Sequence, residues 1–133
     1  MKAVTIHDLR VLGDGRVLAF DLIDILRLAG TDAASSSWRC GNVECVGDLA
    51  DELHLASTSG SILSGPQLLR LASGVSQVID GDFEARRPGD AHPWLMIRAV
   101  DSTDYVVATN DESLIARVRG RFRDVRDSPD DLK

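Results

Sequence analysis

The strongest constraint on the fold of this chain is the alternation of polar and apolar residues at 76–86. A period of two is typical of a strand with one dry and one wet face. Two further β-prone segments follow at 94–100 and 105–109, and only the residues 101–104, Asp-Ser-Thr-Asp, separate them. A four-residue connection rich in turn formers predicts an antiparallel hairpin. On one side of the first strand we place Gln77, Ile79, Phe83 and Ala85, and on the other Val78, Asp80, Asp82 and Glu84.

Helical patterns lie before and after these strands. Residues 18–29 carry a narrow polar stripe with period three among apolar neighbours, which predicts a helix that Gly30 ends. Further helices are predicted at 48–57, at 66–73 and at 109–122, because N-terminal capping residues precede an apolar stripe in each segment.

Residues 1–17 allow two interpretations. The dipeptide Asp14-Gly15 suits the turn of a hairpin that pairs 4–12 with 16–23. The helix at 18–29 competes with that pairing, so 6–12 remains open between a short helix and a strand.

The element order predicts an α+β fold. Consecutive strands with tight loops are antiparallel, and helices fall on both sides of them along the chain. We therefore expect a three- to four-stranded antiparallel sheet with three to four helices packed on one face, in one domain over residues 1–126. Residues 127–133 are expected to fray as a C-terminal tail.

Charge and hydropathy limit the partners of the protein. The 133 residues include 21 acids and 15 bases, for a net charge of −6. An acidic chain disfavours nucleic acid and anionic membranes as partners, because both attract Lys and Arg. No apolar run approaches the roughly 18 residues of a membrane span. The N-terminal residues reach Asp8 too soon for the apolar core of a signal peptide, so we expect a cytoplasmic protein.

The two cysteines predict no cofactor. Cys40 and Cys45 lack the C-x-x-C spacing of redox and zinc sites, and no second Cys/His pair accompanies them. In a cytoplasmic protein we expect both thiols to be reduced and largely buried.

The acids Asp80, Asp82 and Glu84 allow a metal site. At positions i, i+2 and i+4 of a strand they point the same way, and carboxylates in such a row attract Mg²⁺ or Mn²⁺. One hypothesis is therefore a divalent-metal-dependent hydrolase that uses this ladder as ligands and His54 or His92 as base. The alternative is a solvated strand face, on which Arg98, Arg86 or Arg87 neutralises the acids.

The strand at 94–100 suggests a binding face instead. If Leu95, Ile97 and Ala99 face the core, the alternate residues point outward. These are Trp94, Met96, Arg98 and Val100. Trp, Met and Arg are enriched at protein interfaces. We therefore expect a non-catalytic interaction protein that binds a protein partner or a second copy of itself, as a homodimer. A third hypothesis is an acidic antagonist of a basic protein. The expected binding residues are Trp94, Met96, Arg98, Asp80, Asp82 and Glu84.

Overall fold

The computed structural model describes residues 1–12 and 15–128, and for residues 10–12 and 15–18 it describes the backbone alone. Within these residues the chain forms nine strands and five helices. The strands are β1 (Lys2–Ile6), β2 (Leu9–Leu12), β3 (Gly15–Leu18), β4 (Ser37–Val46), β5 (Ile62–Ser64), β6 (Gln77–Arg86), β7 (Leu95–Val100), β8 (Asp104–Thr109) and β9 (Val125–Asp127). The helices are α1 (Leu22–Ala29), α2 (Thr31–Ala34), α3 (Ala50–Ser59), α4 (Gly65–Ser73) and α5 (Glu112–Arg121).

Seven strands form one antiparallel sheet in the order β5-β4-β6-β7-β8-β1-β9. The α+β class and the antiparallel pairing are as the sequence predicted, but the expectation of three to four strands and three to four helices is wrong. The missed strands depend on distant partners: β1 pairs with β8 and β9, and β5 pairs with β4. Strands of three residues, such as β5 and β9, have no local periodicity that could reveal them.

The first thirty residues contain both a hairpin and a helix, each shorter than predicted, and no short helix forms at 6–12. Residues 2–6 pair with β8 and not within the hairpin. Strands β2 and β3 pair antiparallel, with Leu12 opposite Gly15, and Asp14 of the predicted turn lies outside the described residues. Helix α1 begins at Leu22, later than predicted, because Asp21 is its N-cap and accepts a hydrogen bond from the Leu22 N–H. The hairpin therefore ends before the helix begins.

All five helices contribute to one apolar core on one side of the sheet, which we call the inner face. The strands alternate, so that every second side chain packs against the helices. The core includes the fully buried inner-face residues Val4, Val43, Phe83, Leu95 and Tyr105.

A β-bulge changes the expected alternation of β6. The pairing of β4 with β6 shifts on either side of Glu44, and Asn42 beside it has a positive φ of 54°. Between the pairs Glu44–Asp80 and Cys45–Val78, Ile79 is an extra residue of β6. It turns Val78 to the inner face, where Val78 is 1% exposed, so the predicted place of Val78 beside the acids is wrong. Asp80 to Glu84 keep their alternation, and their acids lie on the opposite side.

The first and the last described strands, β1 and β9, are neighbours at one edge of the sheet. Asp127, where the predicted tail begins, lies in β9 opposite Val4. Residues 129–133 lie outside the described part of the chain. The longest described helices, α3 and α5, have ten residues, and no helix in this part of the chain is long and apolar enough to cross a membrane.

Candidate functional site

The side of the sheet away from the helices, which we call the outer face, carries the predicted binding residues of β6 and β7. The strand register arranges it in rows. Glu84, Met96 and Ala108 are neighbours in one row, and Asp82 and Arg98 are neighbours in the next. The outer face includes Arg39, Gly41 and Glu44 on β4, Asp80, Asp82, Glu84 and Arg86 on β6, Met96, Arg98 and Val100 on β7, Asp104, Val106 and Ala108 on β8, and Ala3 and Thr5 on β1.

Each acid of the ladder has a donor from the protein itself. Arg98 Nε donates to Asp82 at 2.6 Å, and Arg86 Nη1 donates to Glu84 at 3.3 Å. The Asp80 carboxylate accepts the backbone N–H of Asp101 at 2.9 Å, in the β7–β8 turn. The predicted pairing of the ladder with Arg98 and Arg86 is confirmed, whereas Arg87 lies elsewhere.

The arrangement of the described side chains does not support the metal hypothesis. Among residues 1–12 and 15–128, no three His, Cys, Asp or Glu side chains converge on one point as metal ligands would. His92 is exposed in the loop before β7. His54 lies on α3, where its Nδ1 is 2.7 Å from the carbonyl oxygen of Val43. Neither histidine is placed beside the acid ladder by these contacts.

His54 contacts the backbone of β4 near the edge of the sheet. The Ser57 hydroxyl accepts the N–H of Val43, whose carbonyl contacts His54. Helix α3 thereby satisfies both backbone groups of Val43 at a position of β4 that β5 does not reach. An unpaired strand edge invites other chains to add a strand, so these contacts protect it.

The prediction that Trp94 points outward is wrong. It is 4% exposed, its indole N–H donates to Ser36 Oγ at 2.9 Å, and the Arg87 guanidinium lies 4.2 Å from the ring centre. Trp94 precedes the first residue of β7, so the alternation of that strand does not fix its direction. Met96 and Arg98 are partly exposed, as expected for the outer face.

Charge is unevenly distributed over the β4–β6 side of the outer face. Arg39 and Arg86 lie at one end, which we call the arginine end, where they outnumber Glu84, the residue opposite Arg39 and the ion-pair partner of Arg86. Glu44 and Asp80 are opposite each other at the other end, which we call the acidic end. Arg86 is six residue steps from Asp80 along β6, or about 20 Å at ~3.4 Å per residue. The face therefore has a positive and a negative end.

Gly41 leaves open space between these two ends. A Cβ built on Gly41 has no atom within 4 Å, and its φ is not in the left-handed region. Gly41 lies opposite Asp82, midway between the two ends of the outer face along β4. The protomer itself can therefore accept a larger side chain at this position.

Sequence reasoning missed a histidine–aspartate pair. His7 follows β1 and comes beside Asp104, because Ile6 is opposite Tyr105 in the register. The His7 Nδ1 contacts the Asp104 carboxylate. The two residues are 97 positions apart, so no local spacing reveals them.

A second polar cluster lies on the inner side. The Asp21 carboxylate accepts the Tyr105 hydroxyl at 2.5 Å and the Leu22 and Val78 N–H groups at 2.8 and 3.3 Å. Burial raises the pKa of Asp21, although these hydrogen bonds lower it in part. Burial and the Asp21 charge raise the pKa of the Tyr105 hydroxyl. These contacts fix the start of α1 against β6 and β8.

Both cysteines are free thiols. Burial raises the pKa of Cys40 to about 12. Burial also raises the pKa of Cys45, with further contributions from Asp21 and Asp51. Neither thiol is set up as a nucleophile, because the reactive form is the thiolate.

No protein-family model, no curated protein and no solved structure matches this chain.

Proposed function

We propose that this protein is a non-catalytic interaction protein whose outer sheet face binds a second copy of the same chain. The observation that carries the proposal is the layout of charge on that face, with the arginine end and the acidic end on the same strands. A twofold axis that lies in the plane of the interface, perpendicular to the strands, reverses the strand direction. It places the arginine end of each copy over the acidic end of the other.

The area of the face suits a modest dimer. Seven strands at ~4.8 Å make the sheet about 29 Å wide, and strands of five to six residues make it about 19 Å high. The projected area is then roughly 550 Å² per copy, or about 1,100 Å² in total. Specific interfaces begin near ~1,000 Å², and the smaller ones are weak and reversible. We expect a dimer that dissociates at micromolar concentrations.

The apolar residues of the face support the same occupant. Met96, Val100 and Val106 are partly exposed around Arg98. Met96 and Val100 flank it on the central strand β7, and Val106 is opposite it on β8. In a dimer these side chains would leave water at the middle of the interface, while the charged ends form its rim. Because Arg98 already neutralises Asp82, that pair enters the interface without an unpaired charge.

Two glycine substitutions test the proposal. Gly41→Gln adds a side chain to the outer face on β4, between the arginine end and the acidic end. Gly120→Gln adds the same side chain to an exposed position of α5 where a Cβ meets no atom within 4 Å. We expect the wild-type chain and Gly120→Gln to approach twice the monomer mass of 14.4 kDa at high concentration in sedimentation equilibrium. Gly41→Gln should remain monomeric.

The control variant separates the interface from the fold. Both substitutions should leave the circular dichroism spectrum unchanged, since neither creates a clash within the protomer. A wild-type chain that is monomeric at every concentration would refute self-association. Equal dimerisation of the Gly41 and Gly120 variants would refute the outer face as its site.

A further inference from the structure

A cavity of about 580 Å³ opens where the end of β1 meets the segment between α5 and β9. Backbone contacts hold its walls together. The His7 N–H donates to the Asp124 carbonyl at 2.8 Å, and the Asp8 carboxylate accepts the N–H groups of Arg123 and Asp124. The cavity is therefore lined by residues 7–9, by Ala19, whose N–H donates to the Asp8 carbonyl, and by residues 121–124, more than a hundred positions later.

The carboxylates around this cavity already have partners. Asp8 accepts the two backbone N–H groups, and Asp104 contacts His7 Nδ1. Both oxygens of Asp124 accept from Arg126, at 2.9 and 3.0 Å. Those hydrogen bonds hold the pKa of Asp124 below its usual value, and His7 adds to the effect. None of the three acids requires a cation from outside.

The arginines of the cavity differ from its acids in their ion pairing. Arg121 and Arg123 both line it and are exposed, and no ion pair of either with a carboxylate is found in the described part of the chain. The Arg121 guanidinium carbon lies 5.1 Å from the centre of the Phe122 ring. The contact of His7 Nδ1 with Asp104 also leaves Nε2 of the same ring for a ligand.

We propose that this cavity binds a small phosphorylated molecule, with its phosphate group held by Arg121, Arg123 and His7 Nε2. Guanidinium groups present paired N–H donors that match phosphate oxygens. A phosphate monoester has three terminal oxygens and a carboxylate has two, so a pair of guanidiniums fits the phosphate better. Because His7 Nδ1 donates to Asp104, Nε2 of the same ring accepts the hydroxyl of the hydrogen phosphate. The volume lies within the usual range for small-molecule sites, ~300–1,000 Å³, and leaves room for an organic group.

Calorimetric titration with phenyl phosphate, inorganic phosphate and acetate tests this site. We expect phenyl phosphate to bind more tightly than inorganic phosphate, because the cavity also accommodates the organic group, and acetate to bind at least tenfold more weakly. Phosphate binding at least as tight as that of phenyl phosphate would assign the site to the free ion and overturn the proposal. Absence of binding by either phosphate compound would overturn it as well.

Variants on one helix and its following residues provide the matched control. The double variant Arg121→Gln/Arg123→Gln should lose at least tenfold in affinity for phenyl phosphate. Arg119→Gln, on α5 but engaged with Asp127 outside the cavity, should retain wild-type affinity. Equal losses in both variants would indicate nonspecific attraction and refute the site.

A measurement on the wild-type chain removes the dependence on variants. Titration with phenyl phosphate should shift the ¹⁵N resonance of His7 Nε2, while the ring signals of His92 stay unchanged. Binding that leaves the His7 signals in place would contradict the proposed ligand geometry. The cavity borders the proposed dimer interface where His7 contacts Asp104, but none of its lining residues belongs to the outer face, so a monomeric protein can still bind the phosphate compound.

Discussion

Removal of the Asp21 carboxylate should destabilise the fold through two contacts at once. Asp21→Ala deletes the N-cap of α1, and it leaves the hydroxyl of the fully buried Tyr105 without its acceptor. Loss of such a cap costs about 1 kcal/mol. A buried donor without a partner costs about 1–3 kcal/mol.

These losses are reduced because the substitution also removes a partly buried charge. Since burial raises the pKa of Asp21, its charged form carries a desolvation cost that the alanine variant lacks. We expect a net decrease of about 2 kcal/mol in the free energy of unfolding. At roughly 4 °C per kcal/mol for a domain of this size, Tm should fall by about 8 °C.

A double-mutant cycle with Tyr105→Phe tests the reasoning in urea denaturation. Alone, Tyr105→Phe removes a hydrogen bond to a charged acceptor and should cost about 1.5–3 kcal/mol. In the Asp21→Ala background the hydroxyl is already unpartnered, so its removal should cost nothing or stabilise the protein. The coupling free energy should be on the order of 2 kcal/mol, and additive losses would refute the role assigned to this pair.

The same carboxylate predicts an unusual pH dependence. Because its pKa is raised, the folded state binds the Asp21 proton more tightly than the unfolded state, whose pKa is near 3.8. The Asp21 contribution to stability is therefore fully present below that value and declines as pH rises through the folded-state pKa. Relative to Asp21→Asn, wild-type stability should fall as pH rises across this window. A rise would contradict the assigned cause.

Three further predictions each depend on one contact or one buried group. Ser36→Ala leaves the buried indole N–H of Trp94 without its acceptor and should cost about 1–3 kcal/mol in urea denaturation, whereas a neutral result would refute that bond. Cys40, with a pKa of about 12, should react with a thiol reagent at pH 8 only after unfolding, and fast labelling of the folded chain would contradict its burial. Gly65→Ala brings a Cβ against the carbonyl oxygen of Ala34 and should lower Tm by several degrees, so an unchanged melting curve would show that α2 and α4 separate easily.

Local patterns were sufficient for the hairpin and the last two helices. The β7–β8 hairpin falls within one residue of its predicted bounds, because alternation and turn residues act over a short stretch; Asp101 and Ser102 both take the positive φ that such a turn needs. Helix α4 begins at Gly65 after the Ser64 capping box, one residue before its predicted start. In these elements sequence neighbours are also spatial neighbours.

The width of the sheet could not be predicted in this way. Strand β1 is defined by its partner β8, about a hundred residues later, and β9 by its pairing with β1. Three residues bury too little surface to leave a pattern of their own. Long-range hydrogen bonding, which a single sequence does not encode locally, decides whether such segments become strands.

Local patterns also predicted only one part of the candidate site. The acid ladder and its pairing with Arg98 follow from a period of two on neighbouring strands, and both could be anticipated. The burial of Trp94 depends on Ser36, 58 residues away, and the His7–Asp104 pair depends on the β1–β8 register. Residues that tertiary pairing brings together were the ones that sequence reasoning missed.

The most direct test of the outer face is an intermolecular nuclear Overhauser measurement on a mixed sample. Half of the chains carry ¹³C-labelled methionine methyl groups, of which the sequence has two, and the other half are unlabelled. If the outer faces pair, the Met96 methyl should show transfer to Val100 or Val106 protons of the unlabelled copy at high concentration. Absence of transfer at Met96, in a sample that sedimentation shows to be dimeric, would contradict the account.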